Sequence, residues 1–118
     1  MLFSLHKKKD VEILTDMVPL MEELIKPMRF LADLGAVWGD LSETERAEIE
    51  ASRVYRERDH DRLAEDRIGR LTKMTEHLKS FKYRNLRLEM QQFLGDWRAQ
   101  EPDRVKVLQG LIRKNCKL

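Results

Sequence analysis

Glu57 and His60 are the two residues of this chain whose types and spacing come closest to a site for chemistry. A Glu-x-x-His pair on one helix is half of a carboxylate-bridged di-iron site, and a two-fold dimer would supply the other half. Such a site also takes a carboxylate from a neighbouring helix, which Glu22 or Glu23 would provide. One hypothesis is therefore a metal-binding helical bundle that uses Glu57 and His60.

The surroundings of this pair argue against a bound cation. Residues 56–62 read Arg-Glu-Arg-Asp-His-Asp-Arg, seven residues without an apolar side chain, and their three arginines oppose a metal ion electrostatically. A simpler interpretation is a solvated charged segment within a helix, and a third is a buried polar network that fixes helix register. We therefore expect no metal and no cofactor, and we keep the metal-binding bundle as an alternative.

A second candidate site is a basic-aromatic cluster within residues 79–87. The cluster consists of Lys79, Lys82, Tyr83, Arg84 and Arg87, with Phe81 among them. Together with three bases near the C-terminus, its cations would neutralise several phosphates while the two rings stack on the bases of a nucleic acid. The alternative is that Phe81 belongs to the core and that the cations are solvated. No helix-turn-helix or zinc-finger pattern accompanies the cluster.

The elements that position these residues begin with a strong apolar seam. Its members fall at alternating three- and four-residue intervals, and they are Leu14, Met17, Met21, Leu24, Met28 and Leu31. This period predicts an α-helix over residues 10–34 with one broad apolar face. Asp10 is the expected N-cap, Pro19 and Pro27 predict a bend, and Gly35 is expected to end the helix.

The apolar seam has two interpretations. A stripe of this kind forms the core of many helical bundles, but methionines on it are also typical of an adaptable groove for a protein partner. On the second interpretation, the partner-binding surface comprises the six seam residues together with Trp38.

A long charged helix is expected over 42–82, because this stretch contains no proline and a single glycine. Ser42 and Glu45 form a capping-box pattern at its start. Its expected inward stripe is Ala47, Ala51, Val54, Ala64, Ile68, Leu71 and Leu78, with Met74 and Phe81 alongside. A third helix is expected over 84–98 and a fourth over 103–114, and residues 1–9 are expected to be a flexible tip. The sequence leaves open whether the helices over 42–82 and 84–98 are continuous.

Composition narrows the fold class to all-α. Of the 118 residues 37% are charged and 7% are aromatic, a balance that disfavours β-sandwich, disulfide-scaffold and disordered classes. The single cysteine excludes an intrachain disulfide, and no apolar run is long enough to span a membrane. The first nine residues reverse the order of a secretory signal, so a cytoplasmic location is expected. We predict a single-domain helical bundle that is oligomeric.

The charge is unevenly distributed although the formal net charge is only +2. Residues 11–40 contain six acids and two bases, whereas residues 83–118 contain eight bases and four acids. This asymmetry indicates an anionic partner or head-to-tail self-association.

The sequence contains none of the usual catalytic patterns. It has no glycine-rich phosphate loop, no zinc-ligand spacing and no nucleophile elbow. We therefore expect a non-enzymatic adaptor that self-associates and binds a protein partner through apolar helix faces. The first alternative is a nucleic-acid-associated accessory protein that uses the basic-aromatic cluster, and the second is the metal-binding bundle.

Overall fold

The computed structural model of the chain describes residues 9–52 and 56–116, with the side chains of 34, 35, 49, 50, 52 and 56–58 left out of the description. These residues form five α-helices and no strand. The helices are α1 (Asp10–Trp38), α2 (Glu43–Ser52), α3 (Arg56–Glu76), α4 (Arg84–Gly95) and α5 (Pro102–Cys116). Short 3-10 turns at Phe81–Tyr83 and Trp97–Ala99 precede and follow α4. The all-α prediction is confirmed.

Helix α1 is the central element, because α3 and α5 both pack along it and α4 packs against those two. Helix α5 runs antiparallel to α1, since Arg29 pairs with Asp103 at one end and Cys116 lies beside Val11 at the other. Helix α3 is antiparallel to α1 as well. The Phe30 ring stacks on His60 near the start of α3, and Asp10 contacts the residues that follow its end.

The core is formed by the inward faces of α1, α3, α4 and α5. Its largest fully buried side chains are Phe93, Ile13, Leu14, Met17, Met21, Leu24, Leu71, Leu78, Met90, Leu108, Ile112 and Val105. Apolar burial on this scale is the main stabilising contribution, at about 1.5–3 kcal/mol for each large side chain relative to an exposed one. The inward stripe predicted for the helix over 42–82 is buried from Ala64 to Leu78, although Leu78 itself lies just beyond the end of α3.

Helix α1 is longer than its sequence predicts. It continues through Pro19, Pro27 and Gly35 and ends only at Trp38, with Gly39 as its C-cap. A glycine inside a helix costs about 1 kcal/mol relative to alanine, which is not enough to end a helix that is already established. Pro19 is exposed, whereas Pro27 is buried beside the seam.

Asp10 is not the N-cap, because that position is taken by Lys9 and Asp10 is the first helical residue. The Asp10 carboxylate turns instead to the end of α3. It accepts hydrogen bonds from the backbone amides of Lys79 and Ser80, at 3.1 and 2.7 Å. The first turn of α1 therefore supports a distant corner of the chain.

The predicted central helix ends six residues earlier than expected, at Glu76 rather than 82. Leu78–Ser80 is non-helical, and the Ser80 hydroxyl accepts a hydrogen bond from the Lys82 amide as a new turn starts. The helices over 42–82 and 84–98 are therefore separate. Residues 53–55 lie outside the description, so the continuity predicted between α2 and α3 remains a prediction.

The molecule is elongated, with principal extents of 53 × 31 × 23 Å and a radius of gyration of 16.8 Å. A compact chain of this length has a radius of gyration of about 13.5 Å. Among the α1 side chains whose exposure is described, none beyond Met28 is buried, although the helix continues for ten more residues. Within the described part of the chain, every helix is too short or too polar to cross a bilayer.

Candidate functional site

The apolar seam lies mostly inside the molecule. Its first five residues, from Leu14 to Met28, have exposed fractions of 4% or less and contact the inward faces of α3 and α5. In this fold they are core residues and form no surface for a partner. Of the predicted partner-binding residues, only Leu31 and Trp38 are half-buried, and both lie beyond the end of the core.

The segment beyond the core forms a projection that we name the distal arm, defined as residues 29–52. It comprises the last ten residues of α1, a short connection and α2. Among the arm residues whose exposure the structure describes, none is buried. Val37 is 48% exposed, and the alanines at 32, 36, 47 and 51 are exposed as well. Ala47 and Ala51 were expected to face inward, but both are exposed.

Local contacts fix the connection between α1 and α2 within the distal arm. The predicted capping box is present, since Glu45 accepts from the Ser42 amide at 2.8 Å and Ser42 Oγ accepts from the Glu45 amide at 3.1 Å. Arg46 donates from Nε to the Trp38 carbonyl at 3.0 Å, and its guanidinium lies 5.9 Å from the Trp38 ring centroid. Trp38 is therefore held against α2 rather than against the core.

The distal arm is acidic. It contains six acids and two bases in sequence, and its exposed carboxylates include those of Asp33, Asp40, Glu43 and Glu48. The arm thus combines uncovered small apolar side chains with negative charge.

The basic-aromatic cluster differs from its prediction in the placement of its two rings. Phe81 was expected to lie alongside the core, but its side chain is 82% exposed. Tyr83 was expected to stack on a base, but it is only 4% exposed and belongs to the core. The Arg84 guanidinium lies 5.8 Å from the Phe81 ring, and Lys82 Nζ lies 5.5 Å from the Tyr83 ring. The nucleic-acid alternative requires both rings of the cluster to be exposed, and only Phe81 is.

Arg87, the last member of the cluster, stabilises the fold rather than facing solvent freely. It is half-buried, and its Nη1 donates to the carbonyl of Leu78 at 3.2 Å, which closes the corner between α3 and α4. Its Nε is buried without a hydrogen-bond partner among the described residues. Lys79, Lys82 and Arg84 are exposed. These three side chains are the part of the cluster that a partner can reach.

Three basic segments meet at the end of the bundle opposite the distal arm. Asp10 joins the start of α1 to the α3–α4 corner, and Cys116 at the end of α5 lies beside Val11. We name this surface the basic end, and its described basic residues are Lys9, Lys79, Lys82, Arg84, Arg113 and Lys114. They are separated by up to 105 positions in sequence, so periodicity within one helix does not reveal them as a group.

His60 lies near the start of α3, at the interface with α1. Its ring stacks on Phe30 with centroids 4.1 Å apart and an interplanar angle of 12°. A shallow cleft of about 430 Å³ lies alongside. Its lining residues are Glu22, Ile25, Lys26, Arg29, Phe30, Asp33 and His60. Among the described residues, no group of three His, Cys, Asp or Glu side chains could hold a metal ion. The Glu57 side chain lies outside the description, so its pairing with His60 remains a prediction.

Two arginine-centred ion-pair groups connect the helices around this region. Arg98 contacts Asp61 and also donates to Glu65 at 3.0 Å, which joins the turn after α4 to α3. The hydrogen bond from Arg98 lowers the pKa of the Asp61 carboxyl, against the opposing effect of its partial burial. The same hydrogen bond raises the pKa of Arg98.

The second group is centred on Arg67, which donates to Glu23 of α1 at 2.8 Å and contacts Asp66. Burial lowers the pKa of Arg67, but its hydrogen bonds to the two carboxylates outweigh burial and leave the pKa raised. Both groups connect neighbouring elements of the bundle, Arg98 to α3 and Arg67 to α1.

Comparison with known proteins gives no relative. No protein-family model matches this chain, and neither the curated proteins nor the solved structures contain a significant match. The distal arm and the basic end are the two candidate binding surfaces of the described chain.

Proposed function

We propose that the chain is a non-enzymatic interaction protein that self-associates through its distal arm. The observation that carries this proposal is that no α1 side chain beyond Met28 whose exposure is described is buried, while the helix continues to Trp38 and leads into α2. The arm uses twenty-four residues of helix and connection without burying any side chain whose exposure is described.

Isolated helices of the length of α2 are marginal in water. Helices shorter than about 12–15 residues gain too few hydrogen bonds to offset the cost of nucleation, and most helical stability in proteins comes from packing of an apolar face. Helix α2 has ten residues, one capping box and the Arg46 contacts to the end of α1. A partner that covers the arm would supply the missing packing.

A second copy of the chain is the partner that fits this surface. Each copy carries the same uncovered face, so pairing of two arms covers both faces at once in an isologous dimer. The small side chains of Ala32, Ala36, Ala47 and Ala51 would allow the helices to approach closely. Val37, which is 48% exposed, would supply the largest apolar contact among the fully described exposed arm residues.

The charge of the arm gives this dimer a distinctive salt dependence. Two arms with six acids and two bases each repel one another, and salt screens that repulsion over a distance of about 10 Å at 0.1 M. Arm-to-arm association therefore strengthens as salt is added. Head-to-tail association of an acidic arm with a basic end would weaken instead, so the sign of the salt effect distinguishes the two arrangements.

The test is sedimentation equilibrium of the full chain over a range of concentrations at low and high salt. Val37→Asp places a charge on the arm and is expected to weaken the dimer at least tenfold, because it buries an unpaired carboxylate. Val107→Asp is the matched control, because Val107 is similarly exposed at 52% but lies on α5, away from the arm. A chain that stays monomeric at all concentrations, or equal loss in both variants, contradicts the proposal.

A further inference from the structure

The basic end combines a dense positive charge with the exposed aromatic ring of Phe81, and neither feature takes part in arm pairing. Residues 79–87 contain four bases and no acid, and residues 113–116 contain two bases and no acid. The contacts of Asp10 with Ser80 and of Cys116 with Val11 bring these segments to the same end of the bundle.

The nearby carboxylates do not neutralise this charge by pairing with the basic side chains. Asp10 accepts from the backbone amides of Lys79 and Ser80, and Glu12 accepts from the backbone amide of Lys9. Within the described residues, the ion pairs of the molecule lie along α1, α3, α4 and α5 and in the turn after α4, and none includes a basic residue of this end. The basic end therefore presents a positive surface to solvent.

Phe81 stands at the corner of this surface with 82% of its side chain exposed, the largest exposed fraction of any large apolar residue described. Ser80 starts the 3-10 turn that carries it, and the Arg84 guanidinium lies close to its ring. An apolar ring surrounded by cations at a convex corner is suited to insertion between lipid headgroups, where the ring enters the acyl boundary and the cations remain at the anionic surface.

A single-stranded nucleic acid fits this end less well. Sequence-tolerant binding of single strands uses a basic groove with several aromatic platforms on which successive bases stack. Tyr83, the second ring of the basic-aromatic cluster, is buried, so among the described residues of this end Phe81 is the one ring open to stacking.

We infer that the basic end is a docking surface for an anionic lipid membrane, with Phe81 as the inserted side chain and Lys79, Lys82 and Arg84 as the nearest contacts to lipid headgroups. This surface is independent of the distal arm, which lies at the other end of α1.

The experiment is co-sedimentation of the full chain with vesicles, either of phosphatidylcholine alone or with about one-third phosphatidylserine. We expect binding only to the anionic vesicles, and weaker binding when salt is raised because screening reduces the attraction. Replacing Lys79, Lys82 and Arg84 together by glutamine is expected to lower the partition coefficient on the order of 100-fold, at about fivefold for each base. Phe81→Ser is expected to lower it roughly tenfold.

Two matched controls separate docking from a general charge effect. Replacing Lys26, Arg62 and Lys106 by glutamine removes the same number of exposed charges away from the basic end and is expected to leave binding within a factor of about three of the unmodified chain. Val107→Ser is the corresponding control for Phe81. Equal losses in the test and control variants, or equal binding to neutral vesicles, would overturn the inference. So would a single-stranded oligonucleotide that binds more tightly than the anionic vesicles through the same three bases.

Discussion

The carboxylate of Asp10 accepts a hydrogen bond from the backbone amide of Ser80 at 2.7 Å and so connects two positions seventy residues apart. A second bond, from the Lys79 amide, reaches the same oxygen. These amides follow the end of α3, where the chain leaves helical geometry and the amides have no helical partner. The first turn of α1 therefore caps the corner that carries Phe81.

Asp10→Ala should destabilise the fold by about 1 kcal/mol, because both amides lose a charged acceptor at a partly exposed site. The expected observation is a lower urea midpoint with an unchanged dependence on urea. Asp10→Asn keeps a carbonyl acceptor and should lose less than half as much. Equal stability of Asp10→Ala and the unmodified chain would show that the contact contributes nothing measurable.

Met21→Ala should destabilise the fold by about 2–5 kcal/mol, since Met21 is fully buried on the seam and the truncation leaves a cavity. Val11→Ala on the same helix, at a position that is 44% exposed, should change the unfolding free energy by less than about 0.5 kcal/mol. Urea unfolding of both variants checks this prediction. If Met21→Ala kept full stability and lost only the ability to self-associate, the seam would be a partner surface after all.

Gln109 is a buried polar residue of α5 whose Nε2 donates to the carbonyl of Val18 and to Glu22 Oε1, each at 3.1 Å. Gln109→Ala should cost about 1–3 kcal/mol, because the change removes a buried hydrogen bond to the Val18 carbonyl and a second one to Glu22, and also opens a small cavity. Gln92→Ala, at an exposed position of α4, is the control and should be close to neutral. Thermal unfolding of the two variants side by side distinguishes them, and equal midpoints would count against a structural role for Gln109.

Asp61 should make stability depend on pH in the acid range. The hydrogen bond from Arg98 lowers its pKa in the folded state, so the contribution is present above the unfolded pKa of about 3.9 and is lost as the pH falls through the lower folded value. Asp61→Asn should cost about 0.5–1 kcal/mol at pH 7, because the pair is partly exposed. The difference from the unmodified chain should shrink towards pH 3 in urea titrations. A difference that stays constant with pH would mean that the charge of Asp61 is not involved.

The interpretation of the α1 seam as core was correct from Leu14 to Met28, because a helix with one broad apolar face buries that face against neighbouring helices. The position of Phe81 was not predictable in the same way. Its assignment to the inward stripe extended the period of α3 through Leu78, but the helix ends at Glu76 and the period does not continue past the break. Ser80 was the available signal, since serine is a favoured N-cap and its hydroxyl does accept from the Lys82 amide.

The two candidate surfaces differ in how far their residues can be recognised from the sequence alone. The distal arm is one continuous segment of the sequence, and its signal was the break in the seam after Leu31, where glycine occupies the next seam position at Gly35. The basic end is assembled from the start of α1, the α3–α4 corner and the end of α5. Such an assembly depends on antiparallel packing of helices, which the charge pattern of a single chain does not specify.

The acidic distal arm and the basic end lie toward opposite ends of a molecule 53 Å long. This separation gives the protein an electric dipole moment directed along α1. Near a charged surface, the resulting torque orients the molecule during diffusion, before any side chain makes contact. A negatively charged surface therefore receives the protein with Phe81 leading and the arm pointing into solution, at a height of roughly 40 Å set by the length of α1.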